Sequence, residues 1–80
     1  MYVLKSSDGQ HTQLGTSAGN RQENSDGSFW ITGWGPVTQG RVGVGASYFL
    51  SDADGSNFMS VRVTQIGGAG MGGICFDYNG

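Results

Sequence analysis

The chain is poor in the residues that let small domains cross-link themselves. It has one cysteine, Cys75, so no disulfide forms within it, and Cys75 and His11 are its only soft metal ligands. A closed structural zinc site needs about four such ligands, so no metal centre of that kind is expected. Charge is also scarce: Asp, Glu, Lys and Arg together make up 12%, about half the usual ~25%. The four basic residues, Lys5, Arg21, Arg41 and Arg62, are scattered, and the formal charge is −2. No basic stripe is available to follow a phosphate backbone, so nucleic acid is not an expected partner.

Long apolar runs are missing too. Nothing approaches the ~20 apolar residues of a membrane span, and the opening MYVLKSSDGQ has too short an apolar run for a secretory leader. Membrane insertion is not expected; the expected setting is cytoplasmic synthesis, with exit by lysis or within an assembled extracellular particle. The unpaired Cys75, in GGICFDYNG, fits a reducing compartment and reads as a small buried apolar residue. With neither disulfide nor metal to supplement the modest core of an 80-residue chain, association between copies is the expected supplement.

What the chain has in abundance is glycine, sixteen residues of it. No window of about twelve residues holds an apolar helical stripe, and each interior glycine costs a helix ~1 kcal/mol relative to alanine. Asp-Gly pairs at Asp8-Gly9, Asp26-Gly27 and Asp54-Gly55 are strong turn signals. Between them the β-branched and aromatic runs predict strands at Tyr2–Lys5, Gln10–Leu14, Ser28–Thr32, Gly40–Leu50, Asn57–Ile66 and Ile74–Tyr78. Gly15–Ser25 reads as a loop, Gly33–Pro36 as a corner and Gly67–Gly73 as a flexible crossing. The expected fold is all-β, one domain over 1–80, with five or six antiparallel strands in a meander closing into a sandwich or barrel.

The stretch SYFLSDADGSNFMSVRV fixes a register. If Asp54 and Gly55 sit at the centre of a turn, Leu50 faces Met59, Tyr48 faces Val61 and Ala46 faces Val63, all apolar and all on one face. The other face then carries Phe49 with Ser60, Ser47 with Arg62, and Gly45 with Thr64. Val42 and Val44 extend the apolar face, which Phe29, Ile31, Ile74 and Phe76 would cover. The same turn offers oxygen ligands at Asp52, Asp54 and Asn57, a calcium alternative. The twelfth position from Asp52 is Val63, where a calcium loop would carry a bidentate glutamate, so the simple hairpin tip is favoured.

Catalytic signatures are thin. His11 has no accompanying nucleophile motif, and the aspartates sit where turns want them for backbone reasons. GRVGVG and GGAGMGG lack the lysine and following helix of a phosphate loop. No cofactor is expected, and the chain reads as a non-enzyme. The aromatics carry the functional reading. Trp30 and Trp34 point in different directions, and together with Tyr48 and Phe49 they are the expected ligand or interface platform. Three roles fit: a homo-oligomeric structural or attachment module, such as a virion decoration or fibre-tip protein; a small carbohydrate-binding domain with a tryptophan platform; or a small inhibitor of a larger protein partner.

Overall fold

The structure, a computed structural model, describes residues 1–67 and 72–79. The alternating and β-branched runs form seven strands: β1 (Tyr2–Ser6), β2 (Gln13–Ser17), β3 (Arg21–Glu23), β4 (Phe29–Ile31), β5 (Ser47–Asp52), β6 (Met59–Ile66) and β7 (Ile74–Tyr78). Among the described residues one short helix, α1 (Pro36–Arg41), lies between β4 and β5. The strands make one antiparallel sheet in the order β2-β1-β5-β6-β7-β4-β3. The all-β antiparallel expectation holds. Only β5, β6 and β7 run as a meander, however, and the sheet is not closed into a barrel.

The two edge strands, β2 and β3, are consecutive in sequence and are joined by Ala18, Gly19 and Asn20 alone. Such a link reaches at most about 14 Å, so the sheet must coil until its edges approach. Ser17 Oγ donates to the Thr32 carbonyl, and Thr32 N–H donates to the Asn20 carbonyl at 3.1 Å. A Cβ on Gly19 would overlap the Thr32 carbonyl, so glycine is required where the link crosses the end of β4. The expected loop at Gly15–Ser25 is therefore wrong at both ends: β2 runs on to Ser17, and β3 starts at Arg21. Strand β3 turns Arg21 inward, its guanidinium 4.0 Å above the Phe29 ring. A short edge with inward charge resists pairing with another chain.

The β5–β6 register matches expectation. Leu50 faces Met59, Phe49 faces Ser60, Tyr48 faces Val61 and Ser47 faces Arg62. The tip differs in detail. Gly55 N–H donates to the Asp52 carbonyl and Asp52 N–H to the Ser56 carbonyl, so the turn is centred on Ala53 and Asp54, with Gly55 left-handed at φ 85°. The extra residue is absorbed at Asn57, also left-handed at φ 52°, which restores the expected pairing.

Leu4, Phe29, Ile31, Leu50, Val61, Val63, Ile74 and Phe76 form the buried core, with Tyr48 and Met59 packed against it. Trp34 and Val42 are buried there as well. Val44 is 64% exposed and Ala46 is exposed, which corrects the expected strand Gly40–Leu50. Pro36 starts α1 at its first turn, where a missing N–H costs nothing. After α1, Ala46 N–H donates to the Gly43 carbonyl across a turn with Gly45 at φ 89°, and that turn carries Val44 outward. The crossing expected at Gly67–Gly73 lies largely outside the described residues; Gly67 N–H donates to the Gly73 carbonyl at 2.8 Å.

Candidate functional site

The four expected platform residues are not brought together. Trp34 is 2% exposed and meets Phe76 edge-on, with ring centroids 6.2 Å apart. It is a core residue and offers no surface. Tyr48 faces inward, and its hydroxyl accepts a hydrogen bond from Gly43 N–H at 2.8 Å. Phe49 and Trp30 do lie on the outer face, because each falls between inward neighbours in its strand. They occupy separate patches, Phe49 on β5 and Trp30 on β4.

Phe49 is the middle of an aromatic cluster. His11 stacks on it with centroids 4.9 Å apart and planes 13° apart, and Phe58 lies 4.7 Å away on its other contact. Phe58 is 54% exposed. Lys5 is the cross-strand neighbour of Phe49 on β1. Both added rings are delivered by backbone that L-residues seldom adopt. His11 has φ 49°, and Asn57, immediately before Phe58, has φ 52°; among the described residues these are the non-glycine positions with positive φ. Asn and His enter this region more readily than other L-residues; at Asn57 it also absorbs the extra residue of the tip, and the two turns together lay a ring beside Phe49 on either hand.

The turn before His11 is built by Asp8. Its carboxylate Oδ1 accepts from Ser6 Oγ at 2.8 Å, Gln10 N–H at 3.0 Å and His11 N–H at 3.2 Å. Asp26 and Asp54 repeat the device: each Oδ1 accepts both the N–H and the Oγ of the serine two residues on. All three carboxyls are held below the ordinary aspartate range, chiefly by the serine hydroxyls, Ser6 for Asp8, Ser28 for Asp26 and Ser56 for Asp54.

The residues of the calcium alternative do converge, but on one another. Asn57 Nδ2 donates to Asp52 Oδ2 at 2.6 Å, and Ser56 Oγ reaches both Asp52 and Asp54. The Asn57 amide thus presents its NH2 to the carboxylate. Met1, Asp52, Ala53, Asp54 and Ser56 line an open depression at this tip. Among the described residues no three His, Cys, Asp or Glu side chains are grouped as metal ligands would be.

Comparison with protein-family models, curated proteins and solved structures finds no match to this chain.

Sequence reasoning missed Phe58 and the role of His11. The signal for Phe58 was present in the hairpin register, which puts it two residues from Ser60 and so on the Phe49 face. His11 carried none, since its placement depends on the non-local return of the β1–β2 turn. Cys75 is 5% exposed, as its apolar surroundings suggested, with Asn24 Nδ2 at 3.7 Å from its sulfur.

Proposed function

We propose that this chain is a non-enzymatic structural or attachment module that works as a homo-oligomer, with His11, Phe49 and Phe58 as the contact surface between copies. The observation that carries this reading is the three-ring cluster with Phe58 exposed, two of whose rings follow from left-handed backbone at His11 and Asn57. A large exposed ring stacked on others is the kind of patch that marks an interaction site, and aromatic residues are enriched at such contacts. The scarcity of charge supports a neutral contact surface of the sort a particle-borne decoration or fibre-tip protein presents. Asp8, Asp26 and Asp54 support a non-enzymatic role, because the Oδ1 of each is engaged in holding a turn.

The test is native mass by light scattering at micromolar concentration. The wild-type chain is expected to run as a dimer or larger, and Phe58→Ser as a monomer that keeps the wild-type circular dichroism spectrum and a cooperative unfolding transition, at a lower temperature because association no longer adds to stability. A monomeric wild type, or an assembly indifferent to Phe58→Ser, overturns the reading.

A further inference from the structure

Trp30 lies on the outer face of a different part of the sheet, and its cross-strand neighbours form one row. Gln22 of β3 pairs with Trp30, Trp30 with Cys75 of β7, and Cys75 with Gln65 of β6. The β6–β7 register shifts between Val63 and Gln65, so Thr64 and Gln65 together oppose Cys75. A bulge of this kind re-aims side chains; here Thr64 and Gln65 are both exposed, and Thr64 Oγ1 donates to the Cys75 carbonyl at 3.3 Å. The row therefore runs amide, indole, small buried thiol, then hydroxyl and amide. At about 4.8 Å per strand it spans on the order of 14 Å.

The charge character of this row is specific. None of its side chains is ionisable except the buried thiol, and the nearest charged pair across β6 and β7, Arg62 and Asp77, face each other at 3.9 Å. Asn24 adds a further amide, its Nδ2 donating to Ser28 Oγ at 2.9 Å and leaving its carbonyl oxygen as an acceptor. An indole flanked by neutral amides fits a neutral ligand that has both an apolar C–H face and hydroxyls in directional array. It holds no cation of its own to attract a phosphate or a carboxylate, and the guanidinium next along β6, Arg62, faces Asp77.

We infer that the outer row Gln22–Trp30–Gln65 is a binding site for a neutral oligosaccharide, one sugar ring stacking on the Trp30 indole while the flanking amides take its hydroxyls. The site is separate from the Phe49 cluster and does not depend on assembly. Because Trp34 is sealed in the core, a fluorescence change on ligand addition reports Trp30.

The test titrates the full chain with cellotriose, triacetylchitotriose, maltotriose and mannotriose, following tryptophan emission for the wild type and Gln65→Ala and titration calorimetry for every variant, including those that lack Trp30. At least one is expected to give a saturable change at millimolar concentration or below. Trp30→Ala weakens it by about tenfold or more, Trp30→Phe retains most of it, and Gln65→Ala weakens it several-fold. Phe58→Ser leaves it unchanged, so failure of assembly and failure of sugar binding are read apart. Absence of saturable binding with all four sugars, or binding indifferent to Trp30→Phe, Trp30→Ala and Gln65→Ala alike, overturns the inference. So does loss of native mass in Trp30→Ala, which would make this row a protein contact.

Discussion

The β5–β6 hairpin and the crossing from Gly33 to Ala46 differ in how their structure is decided. In the hairpin each residue's position follows from its neighbours: alternation sets the face, and a left-handed Gly55 sets the reversal. In the crossing, position follows from partners far along the chain. Trp34 N–H donates to the Gly72 carbonyl at 3.0 Å, and Thr38 Oγ1 donates to the Leu14 carbonyl at 3.4 Å. Local pattern and long-range packing agree in one region and compete in the other.

The crossing is expected to hold more of the stability although its sequence looks like a loop. Trp34→Ala removes a side chain 2% exposed and leaves a cavity against Phe76. It is expected to cost about 4 kcal/mol, most of the margin of a domain this size, with urea unfolding as the measurement. A loss under about 1 kcal/mol would show that the crossing is only laid over a core that the hairpin already completes. The hairpin tip is expected to yield less. Gly55→Ala keeps open space around the new methyl but forces alanine to φ 85°, a cost of about 1 kcal/mol with the Leu50–Met59 register kept. Amide spectra showing a shifted register would mean that the turn, and not the apolar face, fixes the pairing.

The smallest effect belongs to the three turn aspartates, which occur in both halves of the sheet but not in the crossing. Their folded pKa values lie below the unfolded value of 3.8, so their contribution is complete above that value. It is lost as pH falls through the depressed folded values. Stability should therefore fall on acidification below about pH 4, and the Asp54→Asn variant should show a shallower fall. An identical acid profile in that variant would place the titration elsewhere.

The contrast also explains what the sequence made legible. The antiparallel all-β class, the Leu50–Met59 register and the burial of Phe29, Ile31, Ile74 and Phe76 follow from period-two alternation and turn chemistry, which act over a few residues. The helix at Pro36–Arg41 did not, because six residues fall short of any amphipathic window and Pro36 reads equally as a corner. Trp34 and Trp30 are four residues apart with opposite fates. Alternation with Phe29 and Ile31 puts Trp30 outside, but no local pattern buries Trp34, which packs against Phe76 from across the fold. The aromatic cluster was half legible: alternation put Phe49 outside, but His11 arrives from a separate hairpin.

The short link between the edge strands has a mechanical meaning. A free ribbon of strands relaxes its twist at its margins, whereas Ala18–Gly19–Asn20 ties one margin to the other and makes the sheet a sprung clasp. Its stiffness then resides outside the packed interior. Lengthening that tie by a few residues would set how far the clasp opens while leaving every core side chain as it is.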